Sequence, residues 1–552
     1  MERRGEVSRR EWRWVIVWIV VALIVTCVPY LIGWLRSTPD KVFGGFVIAV
    51  EDGYSYLAKM NEGAHGAWLF TLPYTSEPHT ATLFYTFHLL LGKIAALTGL
   101  TLIAVYHLAR LIFDALLLIV TYRFLAMFTG SRAVRRIAFV LIVFSGGLGW
   151  LLLLLGQANW LNSFPIDLIS PEAFTFLILL GFPHLALART LMLLGLMFLW
   201  QGGASDQRSK IRNQRWLFAG VCWLGMGFLV PFYVAVVGAI VIAGLAADSI
   251  AHRRINWHDV RASILAGLIA APILIYTFVV VGIDPVWNVW AAQLIILSPH
   301  PLHYVLGYAL VGTLAIVGLV KNPKSRIRNP ELLGWLIIVP FLIYLPFNSQ
   351  RRLIEGWQIP LAFFAARGLV YGVLPVWRKS RLVRCLSSYR RYSSHGLRSW
   401  LLASLVFFSA ATYVLLLVDQ STRMIAQVPP SFRDGREVEA LRWLDQRVTY
   451  NDVVLSSYDT GNYLPAQVGA RVFLGHGPET VRSDDKRKLV AMFYDGSTSD
   501  EWRRRLLGDG SISYVFFGPS EKQLGNFDPL HAAYLSLEYD QDGYQIYRNL
   551  AR

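Results

Sequence analysis

The chain has 552 residues, of which 55% are hydrophobic, 14% are aromatic and only 16% are charged. Soluble globular proteins carry about 25% charged residues, so this composition excludes an ordinary soluble enzyme. The net charge of +16 would suit a nucleic-acid-binding protein, but most basic residues fall in short loops between apolar runs, which is typical of a membrane protein. We therefore expect no nucleic-acid partner.

The first apolar run, at 14–35, follows a basic segment that ends at Arg13. Its length suits a membrane-spanning helix and exceeds that of a typical signal-peptide core. We interpret it as an uncleaved first span with the N-terminus in the cytoplasm. The protein is then an integral, multi-pass protein of the plasma (inner) membrane.

The apolar segment at 80–97 contains His88 and Lys93 and follows a loop with Pro73 and Pro78. We interpret it as a surface helix that does not cross, because all later basic loops then lie in the cytoplasm. Two ordinary spans with one violation of the charge rule are the alternative. The basic loops are 131–136, 208–215, 253–261, 321–328 and 378–398. About eleven spans result, at 14–35, 101–125, 137–155, 183–200, 216–230, 232–247, 262–281, 303–320, 332–347, 358–377 and 400–418.

The odd number of spans places the C-terminal part of the chain outside the cytoplasm. We expect a transmembrane domain at 1–419, with a first outer loop at 36–100, and a soluble domain at 420–552. In the soluble part, helical and strand-like segments alternate, which indicates a small α/β domain. The predicted fold class is a mainly α, polytopic helical bundle with an extracytoplasmic α/β domain. Its helices are expected at 434–448, 462–468, 485–494 and 500–507, and its strands at 452–456, 512–517, 534–539 and 543–548.

Glu51 and Asp52 lie in the first outer loop and are the leading catalytic candidates. A carboxylate at the membrane surface can act as a general base on an acceptor hydroxyl or amine. The same oxygens could hold a divalent cation, Mg²⁺ or Mn²⁺. The alternative is structural, with Asp52 as the cap of the helix that follows.

Arginines in or near the spans are candidates for binding a lipid phosphate, because a guanidinium matches phosphate oxygens. Arg351 and Arg352 stand in an outer loop that is otherwise poor in basic residues, and Arg189 lies near the outer end of a span. A salt bridge to Glu355 is the alternative for the first two. Arg110 and Asp114, four residues apart, would form an intramembrane pair on one helix face.

The soluble domain offers less chemistry. Asp459-Thr-Gly461 occurs once and is a weak protease signal, and His476 in Gly475-His-Gly-Pro-Glu479 is interpreted as part of a turn. Other outer-loop acids, Asp167, Glu172 and Asp284, are weaker candidates. The three cysteines give no disulfide framework and no thiolate metal site.

This arrangement resembles the GT-C superfamily of membrane glycosyltransferases, which use polyprenyl-phosphate sugar donors. The resemblance consists of the acid pair after the first span, the segment from Glu77-Pro-His to Gly92, and an outer α/β domain after the last span. The Glu77 segment is loosely similar to one in the protein mannosyltransferase and aminoarabinose transferase branch, and Pro346 to Pro360 is similar to a segment of bacterial members. The HPPLGK string and the WWDYG motif of two other branches are absent.

The resemblance implies an inverting glycosyltransferase that moves a hexose or pentose from a polyprenyl-phosphate donor to a glycan, lipid or protein acceptor on the outer face. Its catalytic carboxylate corresponds to Asp52, and less closely to Glu51, while Arg351, Arg352 and Arg189 would contact the donor phosphate. Two alternatives are a transporter or flippase of lipid-linked sugars, although we detect no inverted repeat, and a non-catalytic scaffold with a binding domain outside.

Overall fold

The computed structural model describes residues 5–200, 214–321, 329–380 and 394–550. Three predicted cytoplasmic loops, at 208–215, 321–328 and 378–398, fall mostly outside these residues, as does Cys385. The helices of the described residues are α1 (Arg9–Arg36), α2 (Val50–Ala64), α3 (Thr86–Thr98), α4 (Leu102–Phe128), α5 (Arg132–Phe144), α6 (Gly149–Leu154), α7 (Ile166–Ile169), α8 (Thr175–Gly181), α9 (Pro183–Trp200), α10 (Arg215–Leu229), α11 (Tyr233–His252), α12 (Trp257–Ile283), α13 (Pro285–Gln293), α14 (Pro301–Gly307), α15 (Ala309–Lys321), α16 (Pro330–Leu342), α17 (Gln358–Gly368), α18 (Leu374–Arg378), α19 (Ser394–Ile425), α20 (Gly435–Asp445), α21 (Tyr458–Gln467), α22 (Ser483–Tyr494), α23 (Asp500–Asp509) and α24 (Pro519–Lys522). The strands are β1 (Lys41–Phe43), β2 (Phe432–Asp434), β3 (Val453–Leu455), β4 (Arg471–Val472), β5 (Tyr514–Phe517), β6 (Leu535–Gln541) and β7 (Tyr544–Asn549).

Eight helices of the described residues are long and apolar enough to cross a membrane. The pair α14 and α15, bent by 82°, would make a ninth span, and α10 and α16 are shorter apolar helices. The chain is a multi-pass membrane protein, as predicted, whereas the number of eleven spans and the side on which each loop lies stay predictions. The eight helices are Arg9–Arg36, Leu102–Phe128, Arg132–Leu154, Pro183–Trp200, Tyr233–His252, Trp257–Ile283, Gln358–Trp377 and Ser404–Ile425.

Exposed apolar side chains mark the faces of these helices that a bilayer would cover. On α12, Ile264, Leu268, Ile275 and Phe278 are each more than half exposed. A soluble protein would bury so many large apolar side chains on one helix, since each contributes about 1.5–3 kcal/mol when removed from water. Their exposure is explained if lipid, and not water, surrounds this helix.

Packing divides the chain into two units, and each is built from segments that are far apart in the sequence. In the first unit, α9 packs on α10, α11 on α16, and α17 on both α5 and α15. The second unit combines the C-terminal segment with the predicted first outer loop. The first unit holds 1–27, 110–275 and 295–419, and the second holds 28–109, 276–294 and 420–552.

The second unit contains α3, which covers most of the segment predicted as a surface helix. Its 13 residues span about 20 Å, less than the roughly 30 Å of a bilayer core. The helix packs closely on α2, where a Cβ at Gly92 would lie 1.8 Å from Met60 O and one at Gly63 would lie 2.1 Å from Leu89 O. Its place on the membrane surface stays a prediction.

A five-stranded sheet in the order β4-β3-β5-β7-β6 forms the core of the C-terminal segment. The pairs β3–β4 and β3–β5 are parallel, and β5–β7 and β6–β7 are antiparallel. Val453, Leu455 and Val515 from the sheet pack with Phe493 and Leu507 from α22 and α23. The α/β character predicted for the C-terminal segment is confirmed, with most helices and strands within a few residues of their predicted bounds. Its division from 1–419 as a separate domain stays a prediction.

A second, two-stranded sheet joins β1 to β2 in an antiparallel register that pairs Val42 with Arg433. Gly44 N also donates to Ser431 O at 2.8 Å, and the Phe43 and Phe432 rings lie 5.3 Å apart. This sheet ties the segment after the first span to the start of the C-terminal segment.

Candidate active site

The acid pair lies in the first turn of α2, which starts from a strained residue. Ala49 precedes the helix with φ 44° and ψ 52°, a left-handed conformation that non-glycine residues rarely adopt. The helix then begins at Val50, so the N-cap is Ala49 and not Asp52. The capping role that was the alternative for Asp52 is therefore wrong, and its side chain is 48% exposed. Carboxylates at this end of a helix also interact favourably with the helix dipole.

His476 contacts Asp52, with its Nε2 3.0 Å from Oδ1 of the carboxylate. The imidazole is 5% exposed and belongs to the loop between β4 and α22. Glu479 N and Thr480 N both donate to His476 O, so the segment is the predicted turn. The turn also holds the ring against Asp52, a function that sequence reasoning missed.

The second nitrogen of His476 faces another carboxylate, since its Nδ1 lies 3.7 Å from Glu479 Oε1. The same oxygen accepts from Lys59 Nζ at 2.6 Å and from Ser55 Oγ at 2.8 Å. Lys59 is wholly buried, and the Tyr85 ring lies 4.2 Å from its ammonium. Burial lowers the pKa of Lys59, and the charge and hydrogen bond of Glu479 oppose that shift.

Glu51 is held by a different residue of the C-terminal segment. The Tyr458 hydroxyl donates to Glu51 Oε2 at 2.9 Å and accepts from Gly477 N at 3.1 Å. Burial raises the pKa of Tyr458 to about 12, and the Glu51 charge adds to the shift. The Arg487 guanidinium lies 3.5 Å from the centre of the Tyr458 ring. Both predicted acids are thus fixed by side chains that come more than 400 residues later.

The contacts of the acid pair are hydrogen bonds, and the divalent cation that the sequence allowed for stays a prediction. A Mg²⁺ or Mn²⁺ site uses several oxygen ligands that converge on one point. Asp52 instead contacts an imidazole and Glu51 accepts from a phenol. Among the residues that the structure describes, no three His, Cys, Asp or Glu side chains form a group that could hold a metal ion.

In the first unit, Arg189 is wholly buried and its guanidinium pairs with the carboxylate of Glu355. It also donates to Thr175 Oγ1 at 3.1 Å and to Glu172 O at 2.6 Å. These contacts use most of its five N–H groups, so a phosphate would have to displace Glu355. The phosphate-binding role of Arg189 stays a prediction.

Arg351 and Arg352 lie in the short 3₁₀ turn that precedes α17. Arg352 Nε is 3.3 Å from Glu172 Oε1, and its side chain is 39% exposed. Burial lowers the pKa of Arg351, and the Glu172 charge opposes that shift. The acid partner expected as the alternative was Glu355. Glu355 pairs with Arg189 instead, because both side chains are buried together while Arg352 reaches Glu172.

Arg110 and Asp114 are both buried on α4. Arg110 Nη1 donates to Leu179 O at 3.0 Å, and its Nη2 lies 3.3 Å from Cys27 Sγ. Neither carboxylate oxygen of Asp114 has a hydrogen-bond partner within the described ranges. No hydrogen bond joins the two side chains within the described ranges, and the intramembrane pair stays a prediction.

No protein-family model matches the sequence, and no curated protein matches it. Solved structures match it in fold. The apo oligosaccharyltransferase of Archaeoglobus fulgidus aligns with a TM-score of 0.55 at 12% identity, over 98% of this chain and 75% of its own. ArnT from Cupriavidus metallidurans in the apo state aligns with a TM-score of 0.56 at 13% identity, over 98% of each chain. The mycobacterial arabinofuranosyltransferase AftD aligns with a TM-score of 0.50 at 15% identity, over all of this chain and 40% of its own.

The three matched proteins are all GT-C glycosyltransferases, although their sequences have diverged far from this one. A likeness at this identity is a likeness of fold, and it extends over both the helical bundle and the C-terminal segment. The resemblance seen in the sequence is confirmed at that level. This chain has the fold of the GT-C membrane glycosyltransferases.

Proposed function

We propose that this protein is an inverting membrane glycosyltransferase that moves a sugar from a polyprenyl-phosphate donor to an acceptor outside the cytoplasm. The observation that carries the proposal is the half-exposed Asp52 carboxylate, held in place by His476. Two proteins of the same fold support the donor class. The Archaeoglobus enzyme has been solved with a dolichol-phosphate at a TM-score of 0.53, and ArnT with undecaprenyl phosphate at a TM-score of 0.54.

In the proposed reaction, the acceptor oxygen or nitrogen forms a bond to the anomeric carbon of the sugar. The bond between that carbon and the phosphate oxygen breaks on the opposite face, so the configuration inverts. Asp52 takes the acceptor proton as general base, and the electron pair of the broken bond leaves with the polyprenyl phosphate. The proposed step uses no metal ion, because His476 already contacts the Asp52 carboxylate.

Arg351 and Arg352 stay the predicted contacts of the donor phosphate, because guanidinium groups match phosphate oxygens. The Arg352 side chain is 39% exposed, and its Nε lies 3.3 Å from Glu172 Oε1. The acceptor could be a glycan, a lipid or a protein, and its class is an outcome of the assay. The polyprenyl chain would lie among the membrane-spanning helices, in contact with membrane lipid.

The test is sugar transfer by membranes that contain wild type, Asp52→Asn or Asp528→Asn at equal expression. The probes are synthetic polyprenyl-phosphate hexoses and pentoses with native membrane acceptors. Asp52→Asn should lose about 10²- to 10⁴-fold in rate, since asparagine keeps the shape but cannot take a proton. Asp528 forms an exposed pair with His531, so its variant should keep full activity.

Two results would overturn the proposal. One is full transfer activity of Asp52→Asn, which would show that Asp52 is not the general base. The other is movement of the intact donor across the membrane without any transfer, which would favour a flippase of lipid-linked sugars.

A further inference from the structure

His476 contacts Asp52 but takes no proton in the proposed reaction. Its ring lies between two carboxylates, with Asp52 Oδ1 at 3.0 Å and Glu479 Oε1 at 3.7 Å. The imidazole is 5% exposed, whereas the Asp52 side chain is 48% exposed. The buried ring thus supports a carboxylate that solvent and substrates can reach.

The backbone around His476 has little room to move. A Cβ at Gly475 would lie 2.5 Å from the Tyr74 ring and 2.6 Å from Gly461 O, so no larger residue fits there. Gly475 N also donates to Thr480 Oγ1 at 3.1 Å. On the other side of the ring, the Tyr74 ring centre is 5.7 Å from that of the imidazole.

A buried ion pair fixes the far side of the ring as well. Glu479 is held by Lys59 Nζ and Ser55 Oγ of α2, the same helix that carries Asp52. The helix therefore holds the loop through Glu479, and the loop holds Asp52 through His476. This ring of contacts fixes the position of the imidazole relative to the Asp52 carboxylate.

A divalent cation at such a site would do two things, which are to orient the carboxylate and to offset its charge. The imidazole N–H already orients Oδ1 of Asp52, which is the first of these two effects. The charge of the Lys59 ammonium is compensated by its ion pair with Glu479. His476 thus gives Asp52 the orientation that a metal ion would otherwise supply.

We propose that His476 is the positioning residue for Asp52 and takes the place of a metal ion, so that the C-terminal segment supplies part of the active site. This inference rests on the proposed glycosyl transfer. It makes the transfer independent of divalent cations. It also assigns the C-terminal segment a part in catalysis.

The first test needs no sugar substrate. Mn²⁺ is titrated into the purified full-length protein in detergent micelles, with wild type, Asp52→Asn and His476→Ala compared by calorimetry and by Mn²⁺ paramagnetic resonance. We expect wild type and Asp52→Asn to give the same Mn²⁺ binding curve. Binding to wild type with a Kd below about 100 µM (near −5.5 kcal/mol) that is lost in Asp52→Asn would overturn the inference.

The second test measures transfer with the synthetic polyprenyl-phosphate sugars and uses His531→Ala as the matched control, because His531 forms a comparable but exposed pair with Asp528. His476→Ala should lower kcat by about 10- to 100-fold, as loss of an orienting partner does, with the donor KM nearly unchanged. Added imidazole should restore part of the rate, and His476→Gln should retain more activity than His476→Ala. Wild type should stay active in excess EDTA.

Equal rates for His476→Ala and His531→Ala, or activity that EDTA abolishes and Mn²⁺ restores, would overturn the role of His476. A wild-type protein that transfers no sugar would instead overturn the proposed function. The Mn²⁺ titration would then still decide whether Asp52 is a cation ligand.

Discussion

Glu62 is a buried carboxylate of α2 whose oxygen Oε1 accepts from Thr71 N and Thr71 Oγ1. Burial raises its pKa from the ordinary 4.5 to about 7, although the Thr71 hydrogen bonds oppose the shift. The folded protein therefore keeps this proton at pH values where the unfolded chain has lost it. Stability from this group is present below pH 4.5 and is lost as the pH rises toward 7.

Glu62→Gln should remove that pH dependence. The amide oxygen can accept the same two hydrogen bonds and carries no charge at any pH. At pH 8 the variant should be more stable than wild type by up to about 3 kcal/mol, and the two should converge near pH 4.5. The measurement is the unfolding free energy in micelles across this range, and a difference that does not change with pH would contradict the assignment.

The Lys59–Glu479 pair makes a second residue-scale prediction. Removing one member of a buried ion pair leaves an uncompensated charge and costs about 3–5 kcal/mol. Lys59→Met should therefore destabilise the protein by that amount. Lys59→Met with Glu479→Gln should recover more than half of the loss, because no buried charge remains. Additive losses in unfolding experiments would show that the two side chains do not interact.

Sequence reasoning found the acids of this site but not their partners. Glu51 and Asp52 were recognisable as adjacent carboxylates after a span. His476 and Tyr458 carry no local signal that links them to α2, because their contacts depend on how distant segments pack. Lys59 carried no signal either, because Ser55 and Glu62 on its own face of α2 are polar.

At the scale of elements, α2 and α3 meet through their backbones. Gly63 and Gly92 have carbonyl oxygens of the opposite helix where a side chain would be. Gly92→Ala should cost about 1–3 kcal/mol or more, because the helices would have to separate. Gly508→Ala is the matched control, since nothing lies within 4 Å of its Cβ position. Alanine there should be neutral or slightly stabilising. Equal effects of the two changes on unfolding would argue against the close crossing.

Helices and strands could be predicted where they were long or had a regular spacing of apolar residues. Long apolar runs such as those of α1 and α12 were recognised from composition alone, and α20 and α22 from helical periodicity. Strands β1 and β2 have three residues each, which is too short for a two-residue alternation to be recognised. Their pairing is decided by the fold, so it could not be predicted from either segment.

At the scale of the whole molecule, the C-terminal segment is attached by non-covalent contacts as well as by the covalent connection at residue 419. Tyr54 donates to Pro430 O at 2.6 Å, Lys59 pairs with Glu479, and β1 pairs with β2. These contacts are mostly buried, so salt should screen them little.

Proteolysis on intact cells tests this arrangement and the side of the membrane together. A protease site inserted between Ala426 and Gln427 should be cut by enzyme added outside, because the C-terminal segment is proposed to be extracytoplasmic. The released fragment should stay with the membranes through washes at high salt and leave only in denaturant. Protection from the external protease would place the segment in the cytoplasm. A fragment that washes away would show that the buried contacts are too weak to hold it.

The pairing of β1 with β2 also has a consequence for biosynthesis. Phe43 and Phe432 are partners separated by about 390 residues of chain, and translation proceeds at about 5–20 residues per second. About 20–80 seconds therefore pass between the synthesis of β1 and that of its partner strand β2. The interval between Asp52 and His476 is longer still. A nascent chain that has already inserted its first span would remain inactive throughout this interval. Under the proposed function, activity would appear only when the C-terminal segment has been synthesised and folded, so a ribosome that stalls before it is complete would leave an inactive protein in the membrane.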